Sequence, residues 1–378
     1  MLPPEETGLT KPEIFWRDHQ SWLASCGYML RPRYMPEWVP SWFGDPSLVA
    51  YMCEDGQLKF PGQIMDATRT SDGKLVALKR VDEKIHPFEA EIQLFLCSEP
   101  LAKDPRNHCS PIYEVLRTPD DPDVIIFVMP FLRPFDDPNF DTFGEAVDFF
   151  QQVFEGLEFM HEHGVAHRDC GTLNVMIDAS GMYPEPFHPI RLYRSLDLSR
   201  SAKGFTRTQH PPKYYLIDFG ISRRYKPEQL PVLEGIILGG DKSPPEFQNS
   251  YLPCDPFPTD IYYIGNLIRE NFLDVRCFDL CCCGSDDLSV RKKLGFGFMK
   301  KLVNDMVQED PTKRPTSTEV LSRFKEIKAG LSSWKLRSRV VHRKKIIFPL
   351  DQLWKHWRLR MGYIFQGTPA IPSQSFET

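Results

Sequence analysis

Apolar residues recur at three- and four-residue spacing from Phe143 to His163, through Val147, Phe150, Val153, Phe154, Leu157 and Met160. That period predicts one long helix with a single buried face, ended by Gly164. A short apolar run, Val175-Met176-Ile177, predicts a strand just beyond it. Upstream, Gly62–Arg69 and Lys74–Val81 read as paired strands, with Asp72-Gly73 as the turn dipeptide between them. Asp123 to Leu132 reads as a buried strand running into a turn, and Tyr214–Ile217 as another strand. Near the start, Ile14 to Leu23 fits one short helix, whereas Arg31–Pro36 is too broken by proline for regular structure.

At 378 residues the chain has room for one large two-lobed domain or two ordinary ones. A net charge of −5 is mild and argues against wholesale nucleic-acid binding. The first residues show neither a basic stretch nor an apolar one, and no run approaches a membrane span of about 20 apolar residues. A cytoplasmic or nuclear protein, neither secreted nor membrane-spanning, is the expectation. The ten cysteines are irregularly spaced and are read as reduced thiols used as small apolar residues. A metal site from Cys277 with Cys281, Cys282 and Cys283 is the alternative.

The chemistry-bearing residues come as an ordered series. Val76-Ala77-Leu78-Lys79 closes an apolar strand. His167-Arg168-Asp169 follows the long helix, with Asn174 five residues after the aspartate. Then come Asp218-Phe219-Gly220, Ser243-Pro244-Pro245-Glu246, Asp260 with Gly265, and Asp310–Pro315 containing Arg314. This series resembles the eukaryotic protein kinases, and finer runs of it resemble a group of fungal (basidiomycete) kinase-like proteins. The resemblance covers roughly residues 56–324 and implies an α+β bilobal fold. An antiparallel sheet with one helix forms the N-lobe, and the C-lobe is mainly helical. It also implies ATP and Mg²⁺ as cofactors. Asp169 would be the catalytic base, and Asn174 and Asp218 the metal ligands. Lys79 would hold the α- and β-phosphates, aimed by Glu91, with Glu89 as the second choice. Gly62, Ile64, Ala77, Met129, Pro130 and Leu132 would line the nucleotide site. Glu246 would pair with Arg314, and Ser222, Tyr225 and Ser243 would be phosphosites if any are used.

Two stretches depart from that pattern. Of the glycine-rich loop, Gly62 and Ile64 fit the last glycine and the following apolar position. The two earlier glycine positions hold Gln57 and Lys59, with Phe60-Pro61 beside them. Glycines there let backbone N–H groups approach phosphate oxygens, so the cradle is altered. The catalytic loop carries Cys170, Gly171, Thr172 and Leu173 where the family usually has a cation. Losing one transition-state donor costs about 2.7–4 kcal/mol, which slows a kinase without abolishing it. A cation from the insertion at 179–213 (Arg191, Arg194, Arg200, Lys203, Arg207) or from Lys242 is expected to substitute.

The expected organisation is an aromatic, proline-rich arm at 1–47, a kinase-like domain at 48–330 and a basic tail at 331–378. Within the domain the N-lobe is placed at 48–130 and the C-lobe at 131–330. The arm either straps over a lobe with its Trp rings buried or docks a partner. Lys335 to Arg360 carries nine basic residues against one acid, with Trp334, Trp354 and Trp357 interleaved. That tail either folds back on an acidic lobe or meets a membrane surface or acidic partner. Phosphoryl transfer to a protein hydroxyl, more readily serine or threonine, is the first functional expectation. A nucleotide-binding scaffold with little turnover is the second, and a small-molecule phosphotransferase the third.

Overall fold

A computed structural model describes residues 8–373 apart from 46, 59–61, 238, 249–251, 274–292 and 343–349. The cysteines Cys277 and Cys281–Cys283, and the altered loop positions Lys59, Phe60 and Pro61, lie outside the described residues. The chain forms two compact units. The first comprises the chain up to Cys97, Ser110–Arg133 and Asp178–Phe205. The second comprises Ser98–Cys109, Pro134–Ile177 and the chain from Thr206 onward. The first unit carries an antiparallel sheet with a helix and the second is mainly helical, the α+β lobes expected of a kinase-like fold.

The first unit is a five-stranded antiparallel sheet: β1 (Tyr28–Met29), β2 (Ile64–Arg69), β3 (Leu75–Asp82), β4 (Glu114–Arg117) and β5 (Val124–Pro130). The strand order is β1-β2-β3-β5-β4. The predicted hairpin is β2 and β3, with Asp66 opposite Ala77. The first strand comes from the segment expected to be a separate arm. Tyr28 pairs with Arg69, and Trp16, Leu23, Tyr28, Leu30 and Tyr34 share one core with Met65, Val76, Leu78 and Val128. The boundary expected at residue 47 is therefore not a structural one. Trp16 is fully buried as expected, but Trp22, Trp38 and Trp42 are half-buried and Phe43 is exposed.

Buried charge pairs reinforce that join. Arg33 Nε donates to Glu13 Oε1 at 2.7 Å, both side chains being buried. Arg31 donates to the buried Asp66 on β2 at 2.9 Å and to Glu54 at 3.2 Å. The insertion, expected in the C-lobe, is tied to this same unit by His188 on Glu54 (3.2 Å) and Arg191 on Gln57 Oε1 (2.7 Å). Breaking one partner of such a buried pair costs about 3–5 kcal/mol, because the other charge stays buried.

The second unit is built on the helix Phe143–Glu162, which matches the predicted amphipathic run. Thr142 and Glu145 form its reciprocal N-terminal cap. Phe149 and Phe150 pack with Phe135, Phe140, Phe272 and Phe296 in a cluster of rings, with centroids 4.7 Å apart for Phe135–Phe149 and 4.8 Å apart for Phe150–Phe272. A second helix, Pro256–Phe272, and a third, Ser317–Ala329, complete that core. No described helix is long and apolar enough to cross a membrane.

Candidate active site

In the first unit, strand register sets the candidate nucleotide residues. Ile64 on β2 lies opposite Lys79 on β3, and Ala77 lies opposite Met129 on β5. Ala77 and Lys79 are two apart on one strand, so all four share a face. Pro130 closes β5 opposite Val76 and is buried, and Leu132 is half-buried just beyond it.

Lys79 pairs with Glu89, not with Glu91. Glu89 opens the helix Glu89–Leu96 and is 2% exposed, while Glu91 is exposed. Two residues along a helix turn a side chain by roughly 200°, so only one of the two acids can face the sheet. The buried face is Glu89, Ala90, Ile92, Gln93 and Leu96, and Leu94 points out. Counting back three from Ile92 and seven from Leu96 reaches Glu89. The first choice, Glu91, therefore lies on the outward side of the helix and the second, Glu89, is the partner.

Gly62 is likewise not the open phosphate contact expected. Trp16 Nε1 donates to its carbonyl at 2.8 Å, and a Cβ at this position would lie 2.1 Å from Pro12 Cβ. Glycine is required there so that the helix Lys11–Asp18 can sit against the backbone.

In the second unit the catalytic-loop residues converge on Asp260. This aspartate is fully buried and accepts from the His167 and Arg168 N–H groups, both at 2.7 Å, with His161 Nε2 at 3.1 Å. His167 Nε2 bonds the Ile217 carbonyl at 2.9 Å, which ties the loop to the stretch ending in Asp218. Arg168 and Asp218 both have positive φ, 69° and 66°. Such strain in non-glycine residues persists where surrounding contacts over-determine it, and it clusters at functional sites.

Asp169, Asn174 and Asp218 line one groove of about 490 Å³ with Gly171, Tyr263 and Glu270. Asn174 Nδ2 donates to the Asp169 carbonyl at 2.8 Å and to its Oδ2 at 2.9 Å. Asp169 Oδ1 accepts from the Asp241 N–H at 3.2 Å. Burial raises the Asp169 carboxyl above its ordinary value, and the Asp218 charge raises it further, against those two hydrogen bonds. Gly240 explains the close approach: its φ is +72°, and a Cβ there would meet Asp169 Oδ1 at 3.0 Å. The role of Gly240-Asp241 in holding Asp169 was missed in the sequence, although two adjacent glycines before an acid mark a sharp backbone turn.

The donor set fits a magnesium ion. Asp218 supplies a carboxylate, and Asn174, whose amide N–H₂ is spent on Asp169, keeps its carbonyl oxygen for a cation. A cation there would offset the Asp218 charge that raises the Asp169 carboxyl.

The candidate substitute cations separate. Arg207 is buried, with its guanidinium 4.1 Å from the Phe140 ring centroid and bonded to Tyr214 and to the Phe135 carbonyl. Arg191 bonds Gln57 and Arg200 bonds Glu185, each inside the first unit. These three serve structure. Lys242 is exposed, one residue from the N–H that holds Asp169.

Downstream, Glu246 and Arg314 form a two-pronged pair at 2.8 and 2.7 Å, as expected, and Thr259 adds a third bond at 2.8 Å. Burial pushes the Glu246 carboxyl up, but Arg314 outweighs it and the net shift is down. Arg168 reaches the segment between these sites, donating to the Ile221 and Gly235 carbonyls at 3.2 and 2.6 Å, with Glu234 3.9 Å away. Of the three candidate phosphosites, Ser222 is fully buried and donates to the His167 carbonyl, and Tyr225 is buried too. Neither offers a free hydroxyl to a modifying enzyme; Ser243 is half-buried and bonds Asp241.

Residues 60–236 match the protein kinase domain. A light-sensor protein kinase of the moss Ceratodon purpureus is 22% identical over 281 residues, 65% of this chain and 19% of that protein. A serine/threonine-protein kinase of Saccharomyces cerevisiae is 28% identical over 138 residues, 36% of this chain and 29% of its own. The carbon catabolite-derepressing protein kinase of the same yeast is 27% identical over 128 residues, 31% of this chain and 19% of its own. The chain thus spans well under two thirds of the length of these relatives. These matches set residues 60–236 beside the protein kinase domain.

Proposed function

We propose that the chain transfers the γ-phosphoryl group of ATP to a protein hydroxyl, more readily serine or threonine, with Asp169 as the base. The observation that carries this reading is the groove that gathers Asp169, Asn174 and Asp218, with Asp169 fixed by donors on both of its oxygens. Asp169 accepts a hydrogen bond from the incoming hydroxyl and orients its lone pair toward phosphorus. Lys79, aimed by its pairing with Glu89, meets the α- and β-phosphates. Ala77, Met129 and the Pro130 carbonyl meet the adenine, and the Leu132 N–H donates to it. Lys242 supplies the cation missing from the catalytic loop and meets the γ-phosphate. Magnesium, when bound by Asp218 and Asn174, neutralises charge on the phosphates.

The supporting fold is the protein kinase fold, and the relatives named above are kinases. Kinship with basidiomycete kinase-like proteins, carried by the runs around Asp169, Asp218 and Asp241, belongs to the same proposal, as does a cytoplasmic or nuclear setting. A second reading is a nucleotide-binding scaffold with little turnover. It is favoured by Gly62 being occupied by Trp16 and Pro12 instead of standing open to phosphate.

Both readings require Mg·ATP to bind through Asp218. ATP with Mg²⁺ is expected to raise the melting temperature of the wild type, and ATP with EDTA to raise it much less. In Asp218→Asn the two conditions should coincide. A magnesium-dependent shift that survives in Asp218→Asn would contradict the metal assignment.

A further inference from the structure

Part of the basic tail folds back on the second unit. Phe143 N–H donates to the Ser338 carbonyl at 3.0 Å, Val340 N–H to the Asp141 carbonyl at 3.0 Å, and the Thr206 and Tyr363 hydroxyls meet at 2.8 Å. Among the described residues, Arg337 and Arg360 bond carbonyl oxygens instead of the acids that charge pairing with an acidic lobe would use. Arg337 donates to the Thr368 carbonyl, and Arg360 to the Trp334 carbonyl at 3.1 Å. Arg360 also stacks on the Trp334 and Trp357 rings, at 3.6 and 4.9 Å from their centroids.

Under the helix Leu350–Phe365 this fold-back encloses a cavity of about 280 Å³. Arg337, Arg339, Arg360 and His356 line it, with Thr206 and Thr208 supplying hydroxyls. Arg360 is 5% exposed, and its Nε is buried with no hydrogen-bond partner. A buried donor left unmade costs about 1–3 kcal/mol, so the cavity wall holds an unmet demand for an acceptor.

The carboxylates at the cavity do not meet it. Glu145 is already saturated: it accepts from the Asp141 and Thr208 N–H groups at 2.7 and 3.0 Å and from the Thr208 hydroxyl at 2.8 Å. Asp141 is the other acid on the wall. Burial, then the charges of Arg339 and Arg360, hold His356 below its ordinary pKa, so it stands neutral at pH 7 and can gain a proton beside an anion.

We infer that this cavity is a binding site for a phosphate monoester, recognised by the Arg337, Arg339 and Arg360 guanidiniums with His356. Guanidinium forks match the oxygens of a phosphate, and a monoester's small body fits the enclosed volume. The site shares no residue with the groove that holds Asp169. It stands or falls apart from the proposed transfer reaction.

The test is calorimetric titration of the full chain with inorganic phosphate, against sodium chloride at equal ionic strength, alongside sedimentation with vesicles containing phosphatidic acid. Saturable phosphate binding is expected, weakened about tenfold in Arg337→Gln, the loss of roughly one charge-assisted contact. His356→Gln, which leaves the Trp-stacked Arg360 in place, serves if Arg337→Gln fails to fold, and should weaken binding in the same direction. In the wild type, phosphate should raise the His356 pKa seen by NMR. Binding of dissolved phosphate without vesicle retention assigns a soluble ligand; retention on phosphatidic acid, lost in Arg337→Gln, assigns the same chemistry to a lipid headgroup. Phosphate behaving as chloride, or binding untouched by both variants with an unmoved His356 pKa, would overturn the assignment.

Discussion

Asp169 is held by Asn174 on one oxygen and by the Asp241 N–H on the other, yet burial and Asp218 still raise its pKa. A base must be ionised to accept, so the acid limb of kcat/KM should lie above the ordinary aspartate range. A limb at the ordinary value would mean that another group governs it. The stability sign is opposite: a carboxyl with a raised folded pKa is stabilised by protonation, so its ionised form costs stability at neutral pH. Asp169→Asn should therefore melt no lower than the wild type. The Lys79 partner gives a sharper residue-level test. Glu89→Gln should slow transfer at least tenfold, since the lysine loses its aiming charge, while Glu91→Gln should change it less than twofold. The reverse order, measured as kcat/KM for ATP, would restore the pairing first expected. Both acids were visible in the sequence, but choosing between them required the helix phase, and an exposed leucine such as Leu94 blurs the apolar pattern that would set it.

At the scale of elements, periodicity was a sound guide where burial was one-sided. The helix Phe143–Glu162 and the β2–β3 hairpin fell where the apolar pattern set them. It was a poor guide where polar residues are buried. Arg31, Arg33, Glu13 and Asp66 look solvated in a sequence, but their mutual bonds draw the N-terminal segment into the first sheet. Conversely, Arg207 reads as a surface cation and is buried against Phe140. Single sequence positions carry no record of long-range partners, so paired burial is invisible until the partner is known. The Glu246–Arg314 pair is an element-scale brace joining the short helix Pro245–Gln248 to the turn before Ser317–Ala329, and Arg314 also donates to the Pro258 carbonyl at the start of the helix Pro256–Phe272. Its loss in Arg314→Ala should cost about 3–5 kcal/mol in urea unfolding. Because the folded Glu246 carboxyl lies below its unfolded value, the pair stabilises fully above that unfolded value. Its contribution fades as pH falls through the folded one. The wild type should therefore lose stability on acidification faster than Arg314→Ala; parallel curves would deny the pair that role.

Across the whole molecule, the kinase motifs gave away the architecture because each is tied to a local geometry: a lysine ending a strand, an aspartate in a strained loop, an arginine set for one glutamate. The units could not be bounded in the same way. The insertion lies between C-lobe motifs in sequence, yet His188 and Arg191 bind it to Glu54 and Gln57 of the first unit. The central claim, that these parts make a working phosphotransferase, rests on Asp169. It is tested most directly by incubating the protein with Mg²⁺, γ-labelled ATP and a generic serine-containing acceptor, beside Asp169→Asn. The account predicts labelled acceptor with the wild type, and a loss of at least about a hundredfold in the variant, the scale set by removing a general base. Equal labelling by the two proteins, or Mg·ATP binding with no label from either, would contradict it.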